Sequence, residues 1–318
     1  VISIGFIGSP VVYGDWLPHA DDMRMKFRSL RDRLLHNEAL NFVLTNRIPR
    51  AGLTRFMGWF SKLEQPVVRD VSIAAWRLFA DLDLSDARKS SFRSLHDCFI
   101  RELRPGARPI DRRRGVLSSP CDAIVGACGE IHRTTALQAK GQPYRLEELL
   151  GRRAAAEGLE RGCYVTLRLT SAMYHRFHAP HDCRVHRVTW FPGDAWNVNP
   201  PTLRRIDRVF CRNERASLEL RLLYGEHRLV MVPVAAVLVA SLRLNFIDVL
   251  LDAAYRGPRE LACDADFAKG EEMGWFQHGS TIIVLAPHGF RLAEGVQEGE
   301  RIRMGEALLR LPGAGHPD

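Results

Sequence analysis

Long apolar runs are missing from this chain. The longest, Leu229–Leu242, covers about 14 residues, is interrupted by Pro233 and stops at Arg243. A helix needs roughly 20 apolar residues to cross a bilayer, so no spanning segment is expected. The seven cysteines form no CxxC pair, and their odd number and irregular spacing argue against a disulfide framework. Reduced, mostly buried thiols in a cytoplasmic setting are expected instead. No block of five or six like charges occurs; the densest cluster, Arg112-Arg113-Arg114, reads as a solvated turn rather than a nucleic-acid footprint. Internal repeats and low-complexity segments are absent. The apolar first residues carry no basic n-region, and the chain does not begin with Met, so no signal peptide is read.

What is present is ordinary for a folded protein. The 318 residues are 46% hydrophobic and 26% charged, enough for one large domain or two modest ones. An excess of 45 Lys+Arg over 37 Asp+Glu gives +8, which suits a partner carrying phosphates, an anionic membrane surface or nucleic acid.

The pattern of elements changes along the chain. Asp21–Leu44 reads as a charged helix. Leu53, Phe56, Met57, Phe60 and Leu63 fall at helical spacing, with Trp59 beside them and Arg50, Arg55 and Lys62 interleaved. Such a helix fits either a lipid interface or the protein's own core. Val67–Ala80 predicts a second helix, and Ser94–Leu103 a third, stopped by Pro105-Gly106. From Val116 onward short β-rich runs dominate: Ala123–Val125, Tyr164–Leu169, Arg184–Trp190, Ser217–Leu223, Leu229–Val232, Val234–Leu242 and Ile282–Leu285. One helical interlude, Leu146–Gly158, interrupts them. The expectation is an α+β protein, with a helical N-terminal region over 1–105 and a β-rich catalytic core over 106–318.

Four stretches concentrate polar groups in this apolar background: Ser119–Ala123, Tyr174–Pro180, Phe191–Pro200 and Gly279–Thr281. Singly, each has a plain explanation. Asp122 caps a turn. His175, His178 and His181 are spaced by three, neither helix nor strand places them on one face, and Pro180 breaks any helix, so no metal site is expected. Ser280 lies outside any GxSxG elbow. A surface turn feeding an edge strand would explain Gly279-Ser280, although a hydroxyl at a joint that glycine leaves open to attack is unusual.

Together, these stretches resemble the phosphatidylserine decarboxylase family of pyruvoyl-dependent, self-cleaving proenzymes. The resemblance runs from about Ile48 to Leu311. It rests on LTRFMGW, RPIDRRRGVLSSPCDAIV, LQAKGQPYRLEELL, YHRFHAP, FPGDAWNVNP, FCRNER and KGEEMGWFQHGSTII, all in the family's order. It implies a proenzyme cut between Gly279 and Ser280 into β and α chains. Ser280 attacks the Gly279 carbonyl in an N→O acyl shift, elimination leaves dehydroalanine, and its hydrolysis with loss of ammonia gives an N-terminal pyruvoyl group as cofactor. The resemblance makes His178 the base, oriented and electrostatically supported by Asp122. It gives His175 a part in decarboxylation or reprotonation, and makes Trp196, Asn197 and Asn199 lining residues of the substrate pocket.

The implied reaction converts phosphatidylserine to phosphatidylethanolamine and CO2 through a Schiff base, on a chain held peripherally at the cytoplasmic face of the inner membrane. The partners are the anionic membrane surface and no nucleic acid, and a homodimer is compatible with this picture. Two residues depart from the family's habit. His278 stands where a small or apolar residue is usual, and Trp196-Asn197 stands where bacterial relatives commonly have Phe-Ser. They keep two alternatives open: a pyruvoyl-dependent decarboxylase of a free amino acid or another serine-headed lipid, and an unprocessed, non-catalytic lipid-binding relative.

Overall fold

The computed structural model describes residues 42, 49–80, 82–139, 142–236, 241–252, 254–277 and 281–313. The helix expected over Asp21–Leu44 lies outside these residues apart from Phe42, and so do His278, Gly279 and Ser280. Apolar residues at helical spacing form α1 (Arg50–Phe60) and α2 (Pro66–Phe79). Pro66 starts α2, where its missing N–H costs nothing. The third expected helix shortens to α3 (Leu95–Phe99), with the Ser94 hydroxyl capping the Asp97 N–H at 3.1 Å.

Strands then dominate, as the alternation of apolar residues predicts. The chain forms β1 (Val116–Ser118), β2 (Ala123–Glu130) and the hairpin β3 (Thr135–Ala139) and β4 (Gln142–Arg145). The helical interlude divides into α4 (Leu146–Leu149) and α5 (Arg153–Ala156). Gly151 breaks it: its φ is +75°, and any Cβ there would lie 2.2 Å from the Phe191 ring. After β5 (Cys163–Arg168), β6 (Arg176–His178) and β7 (Cys183–Phe191) come two short helices, α6 (Pro200–Arg205) and α7 (Val209–Arg212). The remaining strands are β8 (Arg215–Leu222), β9 (Arg228–Val234), β10 (Ser241–Leu244), β11 (Leu250–Asp252), β12 (Glu260–Phe267), β13 (Glu272–Phe276), β14 (Thr281–Ala286), β15 (Arg291–Leu292), β16 (Arg301–Ile302) and β17 (Ala307–Arg310).

Eight strands make the main antiparallel sheet, in the order β12-β7-β8-β9-β14-β5-β2-β16. Both of its faces are covered. Leu167, Leu218, Met231, Ile282 and Val284 point into one core, which also takes Phe177, Leu242, Leu251, Met273 and Phe276 from the smaller sheet β11-β10-β13-β6. Tyr164, Val230, Val232, Ile283 and Leu285 point the other way and pack with Tyr144, Leu146, Leu149, Leu203 and Phe210. Burial on both faces explains why β14 is an unbroken apolar run rather than an alternating one.

Candidate active site

One row of the main sheet organises the chemistry. Cross-strand register aligns Phe191, Arg215, Val234, Thr281, Arg168, Ile124 and Arg301. The segments singled out in the sequence leave the sheet beside this row. Asp122 stands just before β2, the loop carrying Trp196 follows β7, and the bond between residues 279 and 280 immediately precedes Thr281. On the other side of that bond the chain comes from β13, whose Trp275 and Gly274 pair with Arg176 and Phe177 of β6. Gln277 and Thr281, the described residues nearest the bond, therefore lie next to strands of two different sheets.

His178 is buried at the end of β6, and its backbone N–H donates to the Pro120 carbonyl at 2.8 Å, which ties it to the turn carrying Asp122. Its Nδ1 lies 2.9 Å from the Gly270 carbonyl. A carbonyl only accepts, so Nδ1 carries the proton and Nε2 accepts from the Tyr174 hydroxyl at 3.0 Å. Burial pushes the imidazole below its ordinary value, opposed by the Gly270 bond and the Glu272 charge. The ring is thus a neutral base near neutrality.

Asp122 makes its hydrogen bonds elsewhere. Arg108 grips it with Nε at 2.9 and 3.1 Å and Nη2 at 2.6 Å, and the Met304 N–H donates to it at 2.9 Å. Arg108 also reaches Asp86 at 2.8 Å, and these carboxylates hold its guanidinium above the ordinary arginine range. The hydrogen bonds that hold the His178 ring thus come from the Gly270 carbonyl and the Tyr174 hydroxyl rather than from Asp122. Asp122 keeps an electrostatic influence on the imidazole, smaller than those of Glu272 and Arg176. Asp122 lines a cavity of about 460 Å³ and His178 one of about 310 Å³, and Arg108 and Tyr174 stand on the walls of both.

His175 is fully buried, with its ring centroid 3.9 Å from that of Phe99, and its carbonyl accepts the Phe276 N–H at 3.0 Å. His181 bonds instead to the Arg114 carbonyl at 2.9 Å. In the loop after β7, Trp196 is half-buried against the second core. Asn213 exchanges bonds with its backbone, at 2.9 Å to the N–H and 2.8 Å to the carbonyl. The Asn197 side chain accepts the Asn199 N–H at 2.8 Å, and Asn199 caps α6 through Thr202. Both amides thus shape the loop.

Two residues without a role in the sequence reading stand out. Arg108 is one; its place beside Asp122 depends on pairing that no local pattern signals. Glu214 is the other. It is buried just before β8, its Oε2 has no hydrogen-bond partner among the described residues, and burial beside Asp252 and Asp194 raises its carboxyl to about 7.

Comparison with known proteins bears on the same residues. The family model described as phosphatidylserine decarboxylase matches residues 95–310, a span containing Asp122, His175, His178, Trp196 and Thr281. The phosphatidylserine decarboxylase proenzyme of Haemophilus influenzae is 33% identical over 270 residues, 82% of this chain and 92% of that protein. The proenzymes of Yersinia enterocolitica and Yersinia pestis are 32% and 31% identical over 288 residues, covering 85% of this chain and 96% of each relative. A match over most of both partners, spanning Asp122, His178 and the strands β13 and β14, means that this chain belongs to the phosphatidylserine decarboxylase family of carboxy-lyases.

Proposed function

We propose that the chain is a self-cleaving proenzyme that removes CO2 from phosphatidylserine, with the cut at Gly279-Ser280. The observation that carries this reading is His178: a buried, neutral imidazole with its proton fixed on Nδ1 and its Nε2 lone pair held by one hydroxyl. It stands on β6, the strand paired with β13, which leads directly into the cut. Serine is a weak nucleophile at neutral pH, and such a base supplies what it lacks. In this reading Nε2 takes the Ser280 proton while the hydroxyl oxygen attacks the Gly279 carbonyl, and Asp122 favours the imidazolium that forms. The imidazolium returns the proton to the residue 280 nitrogen as the Gly279 C–N bond breaks, and the ester remains.

The pyruvoyl group left at residue 280 supplies the electron sink for the pair released with CO2. The residues suit it, since its chain continues into Thr281 on a fully buried strand that cannot shift along the sheet. His175, fully buried against the Phe99 ring, is assigned to returning the proton to carbon. Trp196, Asn197 and Asn199 form the loop over the head group.

The division into a membrane-associating part up to 105 and a catalytic core from 106 belongs to the same proposal. Phe56, Trp59, Val67 and Val71 are 51–75% exposed on α1 and α2. Among the described residues no helix is long and apolar enough to cross a membrane. An exposed aromatic and aliphatic face beside a basic surplus favours peripheral attachment to anionic lipid.

Intact-mass analysis tests the reading. Two fragments meeting at 279/280 are expected, the second bearing a ketone at its N-terminus, together with CO2 release from phosphatidylserine vesicles. A full-length mass after prolonged incubation, or a Ser280→Ala variant that still splits, would overturn it. Turnover of soluble serine without turnover of the lipid would redirect the substrate.

A further inference from the structure

Three arginines are driven below their ordinary range by burial: Arg101, Arg168 and Arg215. Two of them are compensated. Arg215 donates to the carbonyls of Glu148, Leu149, Cys211 and Asn213 and lies over the Phe191 ring. Arg101 donates to Ala172 at 2.9 Å and to Cys98. The Arg168 side chain makes no hydrogen bond or ion pair among the described residues, and burial alone shifts it. A partly buried guanidinium without an anion is costly, so such a group points to an anion that arrives with a ligand.

Its position gives that ligand a place. Arg168 ends β5 and pairs in register with Thr281 on β14, one residue from the cut. Side chains alternate along both strands. Leu167 and Ile282 enter the first core, while Tyr164, Ile283 and Leu285 enter the second. Arg168 and Thr281 therefore share the second face, the one against which Trp196 packs. The Thr281 hydroxyl is fully buried and also has no hydrogen-bond partner among the described residues. On the other flank, Ile124 of β2 pairs in register with Arg168, and Gly126 of the same strand brings no side chain. Two unused donors thus occupy facing positions on adjacent strands.

We propose that Arg168, with the Thr281 hydroxyl, anchors the phosphodiester of the serine-headed lipid. This rests on the reaction proposed above. The substrate offers two anions, and their chemistry separates them. The carboxylate loses its charge as CO2 departs, so an ion pair to it would stabilise the ground state and slow the reaction. The phosphodiester keeps its charge throughout, so binding it lowers KM without opposing the chemical step.

The test is equilibrium binding by calorimetry of two soluble probes, glycerophosphoserine and glycerophosphoethanolamine, to the full chain and to Arg168→Gln. The second probe carries the phosphodiester without the carboxylate. Loss of one charge-assisted pair predicts binding weaker by about tenfold or more for both probes. Equal affinity of the two proteins, or no binding by the unsubstituted chain, would overturn the proposal. A loss confined to glycerophosphoserine would overturn the phosphodiester assignment in favour of the carboxylate. In turnover on phosphatidylserine micelles, KM should rise more than kcat falls.

Because the guanidinium has no partner among the described residues, Arg168→Gln should melt no lower than the unsubstituted chain; a clear drop would mark a structural role and sink the proposal. Arg168→Lys, which keeps the charge, should fold as the unsubstituted chain does and bind both probes with intermediate affinity; affinity no better than that of Arg168→Gln would also count against the anchor. Self-cleavage is followed separately by mass. A chain that binds both probes through Arg168 yet never splits would refute the reaction and leave the anchor standing.

Discussion

The Tyr174 hydroxyl donates to His178 Nε2 across 3.0 Å, at the nitrogen that must take up a proton if the imidazole is to act as a base. A donor there stabilises the neutral ring and adds to the effect of burial. Self-cleavage should therefore persist below the ordinary histidine value of about 6.5 and fall only as pH drops through the depressed value. Tyr174→Phe removes the donor, so the acidic limb should move to higher pH, with Glu272, Arg176 and Asp122 still acting on the ring. Cleavage rates of the two proteins between pH 4 and 8 decide this; an unmoved limb would exclude His178 as the titrating base.

Arg108 and Asp122 form the most enclosed ion pair among the described residues, with side chains 10% and 12% exposed. Removing one partner strands the other charge, so Arg108→Met should cost about 3 kcal/mol. Asp122→Asn in that background should cost less than it does alone. A double-mutant cycle by denaturant unfolding measures the coupling, and additive losses would show that the pair contributes nothing jointly.

Glu214 offers a pH test of stability. Its folded carboxyl is raised to about 7 from an ordinary 4.5. The folded state therefore holds a proton that the unfolded state releases first, and stability falls as pH rises through this window. Glu214→Gln should leave stability at pH 4 nearly unchanged and raise it at pH 8 by on the order of 2 kcal/mol. Parallel urea titrations at the two pH values check the sign.

The exposed aromatic face of α1 should act independently of the cut. Phe56 and Trp59 are 51% and 61% exposed, whereas Phe60, stacked on Phe56 at 5.7 Å, is half-buried. Phe56→Glu with Trp59→Glu should abolish sedimentation with anionic vesicles while fragment masses stay the same. Loss of the cut in that variant would place these side chains in the catalytic core's support.

Several parts of the fold were legible because their cause is local. The apolar runs of β5, β7, β8 and β14 are continuous or alternating stretches of β-formers, and α1 and α2 show their helical spacing directly. β12 lies outside the β-rich runs that the sequence shows, although Leu261, Cys263, Ala265 and Phe267 alternate with exposed positions. Its small and acidic residues mask the pattern, and its place at the sheet edge depends in part on Arg184 pairing with Asp266 on the neighbouring strand. The single helix expected over Leu146–Gly158 failed because Gly151 must make room for Phe191, a residue far along the chain.

Residue types and their order alone determined the family and the α+β class. Only the tertiary structure decided which groups meet. The carbonyl fixing the His178 tautomer lies 92 residues away, and the Met304 N–H on Asp122 lies 182 away. Hydrogen bonds and buried charges act over a few ångströms of space, and strand register, rather than sequence distance, sets which atoms come that close.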